Sequence, residues 1–180
     1  METHDAIDLI RDAVGDGGGT WADLGAGTGI FTRALASLLG AENTVYAVDN
    51  DAGAVDALRK LSTRTSGARV VPLIADFTRP IDLPGLGDAP LDGILIANAL
   101  HFVRDASGAL TRLVSRLRSG GRAIVVEYDR RETGRWVPYP IPAARWAALA
   151  TSSGLVGAHI TARRPSMYAG DLYVGVATKP

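Results

Sequence analysis

The sequence predicts an α/β fold, a parallel sheet with helices packed on both faces. Three observations predict it. Strand-like and helix-like apolar patterns alternate through the first five strands, which argues parallel pairing through right-handed crossovers. A glycine-rich turn, Asp23-Leu24-Gly25-Ala26-Gly27-Thr28-Gly29, joins the first strand to a helix. Each of the five strands also ends beside a polar or acidic side chain: Asp23, Asp49, Asp76 with Phe77, Asn98 and Glu127. One such residue would be a helix cap. Open parallel sheets bind ligands outside the carboxyl ends of their strands, so the whole row reads as the lining of a site.

The elements follow in order. Thr3 to Val14 sets Ile7, Ile10 and Val14 on one face and predicts a leading helix, ended by the run Gly15 to Gly19. Thr20 to Leu24 is the first strand, with its acid at the end. In the turn after it, glycines let a ligand lie against the backbone, and the N–H groups opening the next helix suit anionic or polar groups. That helix, with Leu35, Leu38 and Leu39 at helical spacing, ends at Gly40, a C-cap glycine. Thr44 to Val48 is the β-branched and aromatic second strand, closed by Asp49. Asn50 or Asp51 caps the next helix, which buries Val55, Leu58 and Leu61. Ala68 to Ala75 is the third strand, and its Pro72, lacking an amide donor, suits a sheet edge.

Thr78 to Pro90 is rich in proline and glycine and predicts a loop. Leu91 to Ala97 is the fourth strand. Asp105 then caps a helix carrying Leu110, Leu113, Val114 and Leu117 at the i, i+3, i+4 and i+7 positions. Ser119-Gly120-Gly121 turns into the fifth strand, Arg122 to Glu127, whose apolar centre suits burial on both faces. Asp129 to Ile141 is a long polar and aromatic connection, a kind of segment that often carries function. Pro142 fits the first turn of a last helix with Trp146, Leu149 and Ala150 inward. Leu155 to Thr161 and Leu172 to Thr178 are the final strands.

Size and composition narrow the classes. At 180 residues the chain suits one domain over 1–180, with residues 1–15 as a leading helix and no separate substrate domain. Lys plus Arg and Asp plus Glu balance at 19 each, so no net field favours nucleic acid or an anionic membrane. The absence of cysteine removes thiolate nucleophiles and cysteine-based zinc sites. The first dozen residues do not read as a signal peptide, and no apolar run reaches the ~20 residues of a membrane span. A cytoplasmic protein, monomer or homodimer, is the expectation.

With these residues in place, the chain resembles the class I S-adenosylmethionine-dependent methyltransferases, a Rossmann-like family, over nearly its whole length. Asp23 to Gly29 is similar to the family's first motif, an acid followed by G-x-G-x-G. Tyr46-Ala47-Val48-Asp49 is similar to the second, Ala75-Asp76-Phe77 to the third, and Asp92 to Asn98 to the fourth. Leu117 to Arg122 resembles the turn into strand five. The resemblance implies a Rossmann-like three-layer αβα sandwich with a seven-stranded, mostly parallel sheet whose last strand is antiparallel. It also implies S-adenosyl-L-methionine as cofactor, S-adenosyl-L-homocysteine as product and methyl transfer as the activity.

The chemistry of that cofactor suits the row of strand ends. Asp49, beside Asn50, can accept charge-assisted hydrogen bonds from the ribose hydroxyls. Asp76 can accept from the adenine amino group while Phe77 packs nearby. Asp23 would lie near the methionine ammonium, and the backbone of Gly25, Ala26, Gly27 and Gly29 would pass beneath the ribose and methionine arm. Asn98, above the sulfonium region in the family, completes the cofactor set and borders the acceptor.

Methyl transfer is a displacement that depends chiefly on alignment. A general base matters when the acceptor must lose a proton. His101 is one candidate base because histidine titrates near neutrality, although packing before the next helix explains it equally. Glu127 is the other, against a structural acid. Asn98-Ala99-Leu100-His101-Phe102 is not the N-P-P-Y signature of amino-group methylases. Glu127-Tyr128 does not reproduce a metal-dependent acid pair, so no metal is expected. Trp136, Tyr139 and Tyr168 are the candidate substrate walls, against simple core packing, and the expected acceptor is a small molecule.

Two alternatives stand beside this. One is an inactive, cofactor-binding relative serving as a partner or regulatory subunit. The other is an NAD(P)-binding oxidoreductase, since Asp49 lies 20 residues after Gly29, as a dinucleotide site wants. That site's G-x-G-x-x-G loop needs a glycine where this chain has Ile30.

Overall fold

The computed structural model describes residues 1–64, 66–130, 132–166 and 170–180. Its helices are α1 (Thr3–Val14), α2 (Ile30–Leu39), α3 (Ala52–Ser62), α4 (Ala106–Ser115) and α5 (Ala143–Ser152). Its strands are β1 (Thr20–Leu24), β2 (Thr44–Asp49), β3 (Arg69–Ile74), β4 (Leu91–Ala97), β5 (Leu117–Tyr128), β6 (Val156–Pro165) and β7 (Asp171–Thr178). They form one seven-stranded sheet in the order β3-β2-β1-β4-β5-β7-β6. The pairs among β1 to β5 are parallel, and β7 runs antiparallel to both β5 and β6.

Side chains alternate across the pleat, and that period divides the core in two. Leu95 and Ala97 of β4, with Ile124 and Val126 of β5, face the side packed by α1, α2 and α3. Ile94 and Ile96, with Ala123 and Val125, face α4, α5 and Leu83 of the loop before β4. Because helices cover both faces, the central strands are buried on both sides and read as continuous apolar runs. Pro72 lies in β3 at the sheet edge. Asp51 caps α3 through Ala54 N–H at 2.7 Å, Asp105 caps α4 through Gly108 N–H at 2.9 Å, and Gly40 closes α2 with φ 80°.

The structure corrects the sequence expectations in four places. Helix α4 stops at Ser115, and Leu117 opens β5. The glycines expected as a turn before β5 lie within it: Gly120 N–H donates to Lys179 O and Gly121 O accepts the Lys179 N–H, while the register against β4 jumps between Leu91 and Gly93. Strand β6 continues to Pro165, because Arg163, Arg164 and Pro165 pair with β7 while their side chains remain free to reach solvent on an edge strand. Asp23 is the penultimate residue of β1, and its side chain points to α2.

Candidate cofactor and acceptor site

The order of the sheet fixes where a site can form. From β1 the chain crosses outward to β2 and β3, whereas from β4 it crosses the other way to β5. The connections leaving β1 and β4 therefore diverge, and a crevice opens between their carboxyl ends. Gly25 and Asn98 stand on its two sides, and both border the two cavities found there. One, of about 410 Å³, is lined by Asp49, Asn50, Asp76, Phe77 and Phe102, among others. The other, of about 500 Å³, is lined by Ala26, Gly27, Thr28, Tyr128 and Arg164 among others. They are two lobes of one cleft: an Asp49 lobe and a Tyr128 lobe.

The glycine turn is bent by its own backbone. Gly25 and Ala26 donate N–H bonds to Val48 O at 2.8 and 3.0 Å, which docks the turn on β2. Gly27 N–H donates to Asp49 Oδ2 at 2.7 Å, and Asp51 N–H donates to Asp49 Oδ1 at 2.9 Å. Asp49 thus holds the loop with one lone pair on each oxygen and keeps others for a ligand. Gly27 lies at φ 53°, and a Cβ there would meet nothing within 4 Å, so the backbone is bare toward the cleft.

Asp76 accepts from both the N–H and the hydroxyl of Thr78, at 2.9 and 2.7 Å. Those bonds, with the Arg79 guanidinium 3.5 Å away, hold its carboxyl below the usual range and ionised at neutral pH. Asp23 is fully buried, and Thr32 donates its hydroxyl to Asp23 Oδ2 at 2.6 Å. Burial pushes its pKa up to about 7, against the opposing pull of Thr32 and with a further push from Asp49. Asp23 lies beneath the turn and lines neither lobe.

Asn98 takes a left-handed conformation, φ 52°, with its N–H donating to Val126 O at 2.8 Å. Among the described residues only Asp23 Oδ1, Asn98 Oδ1 and Thr161 Oγ1 are buried side-chain polar atoms without a hydrogen-bond partner. One of these three, Asn98 Oδ1, is an acceptor just past the end of β4, on a residue that borders both lobes. A buried acceptor left unmet is costly, so the crevice fits a ligand that brings donors.

His101 and Glu127 meet behind this cleft. Glu127 Oε2 lies 2.6 Å from His101 Nδ1, and Glu127 Oε1 accepts the His101 backbone N–H at 3.1 Å. Both side chains are almost wholly enclosed, at 2% and 1% exposure. The Glu127 carboxyl thus engages Nδ1 and the backbone of His101 together and leaves Nε2 as the ring nitrogen turned away from it. The imidazole packs beside Phe102 and Tyr128, at ring-centroid distances of 4.3 and 5.9 Å, and lines neither lobe.

The long loop after β5 leaves the cleft. Trp136 is 75% exposed, with Arg135 stacked 5.5 Å over its ring. Tyr139 lines a separate cavity between α4 and α5 and ties back through its N–H to His101 O. Tyr168 and Arg131 lie outside the described residues. Tyr128, Thr78 and Arg164 border the cleft without having been singled out as walls from sequence. For Tyr128 the signal was its place next to Glu127 at a strand end.

A sequence model for a methyltransferase domain matches residues 22–125, more than half of the chain and all of both cleft-forming strand ends. The chain belongs to the class I methyltransferase family. Among curated protein sequences none matches it. Solved methyltransferase structures share its fold. CcbJ from Streptomyces caelestis is 16% identical, with 99% of this chain covering 95% of that one at a TM-score of 0.72. A methyltransferase from Aquifex aeolicus is 16% identical with full coverage of both chains and a TM-score of 0.68. The CMeT domain of the citrinin polyketide synthase is 21% identical over 90% of this chain, with a TM-score of 0.69, and this chain spans 47% of its length. A methyltransferase domain, unlike a dinucleotide oxidoreductase, calls for no glycine at Ile30.

Proposed function

We propose that this methyltransferase uses S-adenosyl-L-methionine to methylate a small molecule. The observation that carries the proposal is the two-lobed cleft meeting at Gly25 and Asn98. Its Asp49 lobe supplies carboxyl acceptors and an aromatic ring, as a nucleoside requires. Its Tyr128 lobe adjoins the orphaned Asn98 Oδ1, as an ammonium or amide donor requires. Asp49 would hold the ribose hydroxyls, Asp76 the adenine amino group, Phe77 the adenine face and Asn98 the methionine ammonium, with Asp23 beneath the turn out of direct reach. Bound there, S-adenosyl-L-methionine would supply an electrophilic methyl group on a sulfonium. The chain's own contribution is alignment, with the bare backbone at Gly27 allowing close approach. Trp136 and Tyr139 stand away from the Tyr128 lobe, so among the described residues neither blocks an acceptor. That open lobe favours an active enzyme over a partner subunit.

Calorimetry with S-adenosylmethionine, S-adenosylhomocysteine and NAD in parallel tests the reading. Both sulfur ligands are expected to bind, and each at 100 times its Kd should stabilise the fold by about 2.7 kcal/mol. Asp49→Ala should lose roughly 1.5–3 kcal/mol of that affinity. NAD binding with no response to either sulfur ligand would sink the proposal.

His101 is the proposed base for an acceptor that must lose a proton, held in place by Glu127. Its burial behind Phe102 and Tyr128 favours a second reading, in which the pair clasps the turn Leu100–Phe102 to β5 and the acceptor needs no base. The two part on a pH–rate profile. A base role predicts that His101→Asn lowers kcat by about 10²–10⁴-fold and removes the acid limb. A clasp predicts an unchanged profile with a lower Tm.

A further inference from the structure

A cavity of about 580 Å³ opens on the outer side of the glycine turn, between α1, α2 and α3. Arg33, Lys60 and Arg64 line it, with the hydroxyls of Thr28, Ser37 and Ser66, and no acidic residue does. None of the three cations has an ion-pair or side-chain hydrogen-bond partner among the described residues. Nearby acids are engaged elsewhere: Asp56 with Arg59, Asp8 with Arg11, and Asp5 with Arg164. In a chain of zero net charge, three unneutralised cations around one polar cavity make a local anion site. Thr28 also lines the Tyr128 lobe, so the cationic cavity and the cleft lie on two sides of that one residue.

We infer that this cavity holds a phosphate group carried by the methyl acceptor, an assignment that rests on the methyltransferase reading. Guanidinium and ammonium donors with flanking hydroxyls are the groups that bind phosphate oxygens. Three cations in one cavity match a single phosphate monoester. A nucleic-acid strand would call for a longer basic track.

The test uses inorganic pyrophosphate as the probe, measured by calorimetry on the whole chain, beside S-adenosylhomocysteine. Pyrophosphate is expected to bind wild type and to lose about tenfold in affinity in the R33Q/R64Q double variant, with K60Q as an independent check. S-adenosylhomocysteine affinity should stay unchanged in both variants. Pyrophosphate binding that is absent, or equal in wild type and variants, overturns the site while S-adenosylhomocysteine binding keeps the methyltransferase reading. Failure of S-adenosylhomocysteine to bind overturns that reading and the acceptor assignment with it. In turnover with matched acceptors, the phosphorylated member should be methylated, and R33Q/R64Q should raise its KM with kcat unchanged. A phosphorylated acceptor methylated with equal KM by both proteins overturns the inference, as does an oligonucleotide that displaces pyrophosphate and binds more tightly.

Discussion

At the scale of single residues, Asp23 carries a large cost of burial. Its carboxyl is fully buried, bonded once to Thr32 and otherwise unmet, and its pKa is raised from 3.8 to about 7. The folded chain therefore keeps a proton on Asp23 at pH values where the unfolded chain has released it. Stability from this group is complete below about pH 4, falls as pH rises toward 7, and is flat above. A shift of that size corresponds to a fall on the order of 4 kcal/mol across the window. Asp76, with its lowered pKa, loses its contribution only as the pH drops below the usual carboxylate range, and its partial exposure screens it. Urea unfolding at pH 4.5 and 7.5 should therefore show wild type losing stability with rising pH more steeply than Asp23→Asn, whose side chain cannot ionise. Equal slopes would mean that Asp23 is ionised in the fold throughout. This acid was visible in the sequence as part of a motif. Its partner Thr32 was not, because the contact joins β1 to α2 across a turn whose path depends on docking against Val48.

At the scale of elements, the glycines of the turn do different work although the sequence spells them alike. A Cβ on Gly25 would collide with Ala99 Cβ, and one on Gly29 would press on Leu58 and Leu61, at 2.9 and 2.6 Å. A Cβ on Gly27 would meet nothing, so its cost to the fold is the left-handed backbone alone, about 1–2 kcal/mol. Gly27→Ala should then lower Tm by only a few degrees while weakening S-adenosylhomocysteine binding at least tenfold, because the methyl group enters the cleft. Gly25→Ala should lower Tm much more. Thermal melts with and without ligand separate the two effects. Strands were legible where both faces are buried, as in β2 and β4, since burial imposes an unbroken apolar run. The start of β5 and the end of β6 were not, because their pairing is set by partners distant in sequence: Leu91 and Lys179 for the first, and β7 for the second, where an edge strand tolerates arginine. The course of the loop after β5 was not legible for a similar reason: its end is tied down by Ile141 O accepting the Tyr173 hydroxyl at 2.8 Å, a contact with no local signature.

At the scale of the whole molecule, the alternation of elements made the parallel sheet and its crevice legible, but not how α1 is fastened to it. This helix closes one face of the core and lends Asp5 to the rim of the Tyr128 lobe, beside Met1 just before it. Arg122 of β5 donates through one nitrogen to Ala13 O and Val14 O, both at 2.8 Å, and so meets carbonyls at the helix end, of which Val14 O also accepts the Gly17 N–H. Arg164 of β6 pairs with Asp5 at 2.8 Å near the other end, where both side chains keep contact with solvent. The first is a half-buried charged donor to carbonyls with no intrahelical partner, worth about 1.5–3 kcal/mol. The second is a rim ion pair, worth about 0–1 kcal/mol. Arg122→Ala should therefore lower the urea midpoint clearly, with the slope of the transition preserved, whereas Arg164→Ala should leave it nearly in place. Salt should narrow the small effect of Arg164→Ala and leave that of Arg122→Ala standing, because screening acts on exposed charges first. The reverse ranking would mean that α1 is held from the cleft side, and that the rim pair anchors the lobe it borders.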